Sequence, residues 1–137
     1  MKTNMKWVIS IACLAALAVA LFGQAAKQKS VVSVEEAHAM LVKDSTLLVL
    51  DVRTPEEYEG ELGHIEHAVL LPVQELEKRL GELKEYKGTT ILAVCRSGRR
   101  SASATEILTK SGFTAINIEG GMLKWNEKKL PVVKEGK

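Results

Sequence analysis

The chain has 137 residues, enough for one domain of ordinary size and too few for two. Apolar residues make up 46% and charged residues 26%, as in globular proteins, while three Pro and ten Gly exclude a long disordered or collagen-like tract. Residues 1–26 carry Lys2 and Lys6 and no acid, which leaves the rest neutral overall and speaks against a nucleic-acid binder. The two cysteines, Cys13 and Cys95, exclude a disulfide scaffold and cannot make a four-ligand zinc site. No metal and no organic cofactor is expected.

Trp7 to Ala26 is a run of 20 uncharged residues, with Lys2 and Lys6 before it and Lys27 and Lys29 after it. A bilayer-spanning helix needs roughly 20 residues. A basic start followed by an apolar run also describes a secretory signal, with cleavage sites available at Ala18-Val19-Ala20 and Gly23-Gln24-Ala25. Residues 1–26 are therefore read as an uncleaved membrane anchor or a signal peptide. Cys13 serves there as a small apolar residue. Export places the remainder on the periplasmic or extracytoplasmic side. Residues 27–30 form a linker, 31–133 the folded domain and 134–137 a tail.

Ser33 and Glu36 form a capping box, so a helix is predicted from Val34 to Lys43 with Ala37, Met40 and Leu41 inward. His38 is expected on its solvated side. Leu47 to Leu50 is a continuous apolar run, the mark of a strand buried on both faces. Thr54-Pro55-Glu56-Glu57 supplies an N-cap, a Pro at the first helical position and a Glu at the third. The short helix it starts is anchored by Tyr58. A strand follows from Ala68 to Leu71, then a helix from Glu75 to Tyr86 carrying Leu76, Leu80 and Leu83. Thr90 to Val94 is the next buried strand, Ser101 to Lys110 a helix, Ala115 to Ile118 a strand, and Met122 to Lys128 a last helix with Trp125 as packing. Strands alternating with helices predict an α/β fold with a mostly parallel sheet. Ligands of such sheets bind outside the carboxyl ends of the strands.

That rule points to the segment after Val94, which reads Cys95-Arg96-Ser97-Gly98-Arg99-Arg100-Ser101. Cys95 would sit between a strand end and a helix start. The helix dipole, the loop N–H groups and three nearby arginines all favour its thiolate. Gly98 permits the loop to curl. A buried structural cysteine would not need three arginines beside it.

Several motifs in order make the chain resemble the rhodanese-like sulfurtransferases. They are Leu50-Asp51-Val52-Arg53-Thr54-Pro55-Glu56-Glu57-Tyr58, Gly63-His64-Ile65, the Cys95 to Ser101 segment, and Gly120-Gly121 with Trp125. The resemblance spans about Val31 to Pro131. It implies a single rhodanese-like domain with a five-stranded, mostly parallel sheet and helices on both faces. It also implies transfer of a sulfane sulfur through a persulfide on Cys95. A small-molecule donor such as thiosulfate and an acceptor such as cyanide or a thiol are the partners expected, with a protein acceptor as an alternative. The membrane is a further partner through residues 7–26 if they are not cleaved. Arg96, Ser97, Gly98, Arg99, Arg100 and Ser101 are assigned to substrate binding, with Arg100 first among the arginines, Arg96 next and Arg99 last. Asp51 and Arg53 are assigned to an ion pair supporting the loop. Where the family has Pro-Gly-Ala after Gly63-His64-Ile65, this chain has Glu66-His67-Ala68. The resemblance implies a structural role for His64, and neither it nor His67, which stand apart from the loop in sequence, is assigned to catalysis.

Other chemistries compete. A cysteine phosphatase uses Cys-x5-Arg, whereas Arg100 makes this loop Cys-x4-Arg. A thiol–disulfide oxidoreductase needs a resolving cysteine, and the body after residue 26 has none. A non-catalytic persulfide carrier or sulfide-sensing module would keep the same Cys95.

Overall fold

The computed structural model describes residues 28–135. The run from Trp7 to Ala26, residue 27 of the linker and residues 136–137 of the tail lie outside them. Among the described residues no helix is long and apolar enough to cross a membrane.

The strands are β1 (Val31–Val32), β2 (Leu48–Asp51), β3 (Val69–Leu70), β4 (Thr90–Val94) and β5 (Thr114–Ile118). They form one sheet in the order β1-β5-β4-β2-β3, with every pairing parallel. The apolar runs of β2 and β4 become the central strands, because both of their faces are covered. The helices are α1 (Val34–Lys43), α2 (Pro55–Tyr58), α3 (Val73–Arg79), α4 (Arg99–Lys110) and α5 (Gly121–Glu127). Side-chain alternation splits the core in two. Val49, Leu92, Val94, Ile116 and Ile118 face Val34, Ala37, Met122 and Trp125 of α1 and α5. Leu48, Leu50, Ile91 and Ala115 face Leu76, Leu83, Ala104 and Leu108 of α3, the turn after it and α4.

Local chemistry fixes the helix starts. Both expected caps form: Ser33 accepts from the Glu36 N–H and Thr54 from the Glu57 N–H, with each glutamate returning the bond. His38 is half-buried rather than fully solvated, its ring meeting Trp125 edge-on at 5.8 Å. Trp125 is itself buried, and its Nε1 donates to the Pro131 carbonyl at 2.9 Å.

Three elements depart from the sequence expectation. The third helix starts at Val73, two residues earlier, because Pro72 stands just ahead of the first turn, where a missing N–H costs nothing. From Leu80 to Tyr86 it tightens into a 3₁₀ helix. The helix after Cys95 starts at Arg99 rather than Ser101. The fifth strand, implied only by the family resemblance, is the two-residue β1. It is held to β5 by bonds from the Asn117 N–H to Ser30 and from the Glu119 N–H to Val32.

Chain direction along the sheet reverses between β2 and β4. β2 leads outward to β3, and β4 leads the other way to β5. Such a reversal opens a crevice at the carboxyl ends of the two strands. The segments following them, Val52 to Tyr58 and Cys95 to Gly98, meet there.

Candidate active site

Cys95 follows β4 directly and is buried, at 1% exposure. α4 begins four residues later, and the N–H of Ser101 in its first turn reaches the sulfur together with those of Ser97 and Gly98 in the loop. Gly98 lies at φ +98° and donates its N–H to Cys95 Sγ at 3.1 Å. A Cβ on Gly98 would stand 3.0 Å from the Gly120 nitrogen, so both its conformation and its space call for glycine. Burial pushes the Cys95 thiol up. Once the sulfur is ionised, hydrogen bonds to it from the Ser101 hydroxyl and from the N–H groups of Ser101, Gly98 and Ser97 outweigh that burial and bring the thiol below its usual range.

The loop carbonyls are held away from the sulfur. Met122 N–H donates to the Cys95 carbonyl at 2.8 Å and Leu123 N–H to the Arg96 carbonyl at 3.0 Å. This requires α5 to begin against the loop. A Cβ on Gly121 would lie 2.4 Å from the Cys95 carbonyl oxygen. The Gly120-Gly121 pair therefore does more than turn the chain: it brings donors onto the back of the loop.

The three arginines separate. Arg96 and Arg99 are exposed at the mouth, and neither has an ion-pair partner among the described residues. Arg96 borders a small cleft of about 170 Å³ shared with Glu57, Gly60, Glu61 and Leu62. Arg100 points elsewhere. Its two terminal nitrogens bind the Glu57 carboxylate at 2.8 and 2.7 Å. That contact holds Glu57 well below the usual carboxylate range, at about 2. Arg100, placed first for binding a donor, is thus turned to bracing, because a bidentate carboxylate already fills its fork.

Asp51 and Arg53 form a buried ion pair at 2.7 Å, with Arg53 1% exposed. Arg53 also donates to the Glu57 carbonyl at 3.1 Å and the Gly63 carbonyl at 2.8 Å. The support it gives the loop is indirect: Arg53 fixes the end of α2, α2 carries Glu57, and Glu57 holds Arg100. Stranding either charge would cost about 3–5 kcal/mol. Ser97 is exposed at the rim, and Ser101 is buried beneath the sulfur. His64 lies apart from the loop, stacked on Tyr58 at 3.8 Å, and His67 is exposed on a turn.

Two site residues lack a clear sequence signal. Glu57 reads as a helix cap, and its contact with Arg100 spans 43 positions. Asn117 is a buried polar residue on β5 that touches both Gly98 and Ser101. Its one trace in the sequence is a carboxamide inside the run Ala115-Ile116-Asn117-Ile118.

The chain is similar to several known proteins. A family model described as Rhodanese-like domain matches residues 33–128. The chain is 41% identical over 98 residues to a Bacillus subtilis protein named "Putative sulfur carrier protein YrkF", covering 71% of this chain and 51% of that one. It is 36% identical over 73 residues to thiosulfate sulfurtransferase PspE of Escherichia coli, covering 53% of this chain and 68% of PspE. The chain thus spans about half the length of the first relative and about two thirds of the second. The crystal structure of a rhodanese-like domain protein from Staphylococcus aureus matches with a TM-score of 0.65 at 31% identity, over 77% of this chain and 99% of that one. With the family model covering most of the chain and a solved relative matching in overall fold, the chain belongs to the rhodanese-like domain family.

Proposed function

We propose that the protein is a sulfurtransferase that carries a sulfane sulfur on Cys95, taking it from a donor such as thiosulfate and giving it to cyanide or a thiol. The observation that carries this reading is the ring of N–H donors around Cys95 Sγ at the mouth of the β2–β4 crevice. The name of the relative PspE agrees with it. In the first step the Cys95 thiolate attacks the outer sulfur of thiosulfate. A new S–S bond forms, the old one breaks, and its electron pair leaves with sulfite. In the second step the acceptor attacks the outer sulfur and the Cys95 thiolate leaves. The loop N–H groups hold the anionic sulfur in both steps. Arg96 and Arg99, free at the mouth, meet the donor's oxygens.

The test is direct. After thiosulfate treatment the peptide containing Cys95 should gain one sulfur atom, and thiocyanate should form on adding cyanide. Cys95→Ser should lower turnover at least about 100-fold while remaining folded. Unchanged turnover in that variant would overturn the reading. The name of the relative YrkF favours a second reading, a persulfide carrier. A carrier would load Cys95 once and not turn over with small acceptors.

Residues 7–26 are proposed to anchor the domain to a membrane or to direct its export. Fractionation with external protease decides this, and full-length protein in the cytosolic soluble fraction would reject it.

A further inference from the structure

Asn117 is 7% exposed and spends its whole carboxamide on the Cys95 loop. Its Nδ2 donates to the Gly98 carbonyl at 3.3 Å, and its Oδ1 lies 2.6 Å from Ser101 Oγ. The Gly98 carbonyl fixes this orientation, since a flipped amide would set two carbonyl oxygens against each other. Ser101 Oγ is also 3.3 Å from Cys95 Sγ. A hydroxyl has one hydrogen. Asn117 Oδ1 can only accept, and it is much the closer neighbour, so the hydrogen lies between Ser101 and Asn117. Ser101 then turns a lone pair toward the sulfur and accepts the S–H of the neutral thiol. When that thiol ionises, its proton leaves to solvent. Ser101 must then swing its own hydrogen from Asn117 to the thiolate.

We propose that Asn117 is a positioning residue for sulfur transfer: by competing with the sulfur for the Ser101 hydrogen, it restrains the Cys95 thiolate. The proposal rests on the reading of Cys95 as the sulfur-bearing nucleophile. Once the persulfide forms, the inner sulfur no longer carries the charge, and the hydrogen returns to Asn117. The relay therefore fits both the empty and the loaded cysteine. The charged groups near the Cys95 loop are Arg96 and Arg99 at the mouth, Arg100 on α4 with Glu57 of α2, Asp51 at the end of β2 with Arg53 after it, and Glu119 just after β5, whose backbone packs against Gly98. β5 contributes the neutral Asn117, and α5 contributes backbone N–H groups to the loop carbonyls.

A purely structural Asn117 would only tether Gly98. The two roles separate in the pH profile of Cys95 alkylation by iodoacetamide. The full chain is used, read on the Cys95 peptide by mass spectrometry so that Cys13 does not contribute. Asn117→Ala frees the hydrogen for the sulfur. Alkylation below the midpoint should quicken about fivefold, with the midpoint moving to lower pH. Asn117→Asp grips the hydrogen and adds negative charge, so its midpoint should move up. In a Ser101→Ala background, Asn117→Ala should no longer move the midpoint down. If circular dichroism shows Asn117→Ala unfolded, Asn117→Val replaces it, lacking the acceptor while suiting a strand. An unchanged or raised midpoint on removing the acceptor would overturn the relay, as would the same fall with Ser101 absent. Sulfur loading from thiosulfate is measured on the same samples. Shifts as expected without loading would leave the relay standing and overturn the sulfurtransferase reading.

Discussion

Arg100 and Glu57 are 43 residues apart in the chain and meet through two parallel hydrogen bonds of 2.8 and 2.7 Å. Glu57 also accepts from the Thr54 N–H at 3.0 Å, so one carboxylate both caps α2 and clamps the Cys95 loop. The pair therefore transmits the rigidity of the buried Asp51–Arg53 corner to the loop. Arg100→Ala and Glu57→Ala should each reduce thiosulfate turnover through kcat, and the double variant should be little worse than either single one. Arg96→Ala should instead raise KM about tenfold, because it removes a charge-assisted contact with the donor. Steady-state kinetics on the four variants checks this. Additive losses at 57 and 100 would show that they act separately.

The same pair sets an acid limit on stability. Arg100 holds Glu57 down at about 2, from an ordinary 4.5. A carboxyl lowered by folding contributes stability that is fully present above its unfolded value and lost as pH falls through its folded value. The contribution should thus be complete above about pH 5 and gone near pH 2. The ion pair is half-buried and bidentate, worth about 1 kcal/mol. Glu57→Gln should lower Tm by roughly 4 °C at neutral pH. The gap to wild type should close progressively in acid. A gap of constant size from neutral pH down to about pH 2 would show that the charge of Glu57 plays no part.

A third prediction concerns the back of the loop. Gly121 lies at φ +57°, and a Cβ there would come within 2.4 Å of the Cys95 carbonyl oxygen and 2.6 Å of the Arg96 carbonyl. Gly120 lies at φ +84°, but its Cβ would meet the Lys124 side chain instead. Gly120→Ala should therefore cost the left-handed penalty of about 1–2 kcal/mol and leave Cys95 reactivity nearly intact. Gly121→Ala should cost more and also slow Cys95 alkylation, because the loop carbonyls must move off the Met122 and Leu123 N–H groups. Denaturant melts and iodoacetamide rates on both variants test the contrast.

Local patterns carried much of the fold and only part of the site. The boxes at Ser33–Glu36 and Thr54–Glu57, the apolar runs ending at Leu50 and Val94, and the Cys95 segment are each contiguous in the chain, and the structure has the corresponding helix, strand or loop at each. β1 left no trace because two valines have no period and owe their pairing to Asn117 and Ile118 far along the chain. The α3 helix begins just after Pro72, a residue that ends a strand as readily as it precedes a helix. Arg100 was legible as a charge beside the cysteine but not as a brace, since its partner belongs to another motif. Asn117 was hidden for the same reason: its meaning lies in what parallel pairing of β4 and β5 sets beside it.

The turn into β3 holds a strain that can be relieved. Ile65 accepts from the Ala68 N–H at 3.1 Å, and His67, the third residue of this turn, sits at φ +62°. Turns with a positive φ at that position favour glycine there and proline just before it. Rhodanese-like sequences carry Pro-Gly at these two places, whereas this chain has Glu66-His67 and keeps the left-handed geometry with a side chain that resists it. Among the described residues His67 makes no compensating buried contact: its side chain is 91% exposed, and the charged group it meets is Glu66 at 3.8 Å. His67→Gly removes a penalty of about 1–2 kcal/mol but gives the unfolded chain more freedom, worth about 0.5–1 kcal/mol. The net gain expected is about 0.5 kcal/mol, or roughly 2 °C in Tm. Glu66→Pro combined with His67→Gly should exceed the single change, since proline restricts the unfolded chain that glycine loosens. The turn feeds the amino end of β3, and Cys95 lies past the carboxyl end of β4 in a parallel sheet. Sulfur transfer should therefore be unchanged in both variants. Thermal melts and thiocyanate formation measured side by side test this, and a loss of stability in His67→Gly would show that the histidine contributes more to the turn than its exposed ring suggests.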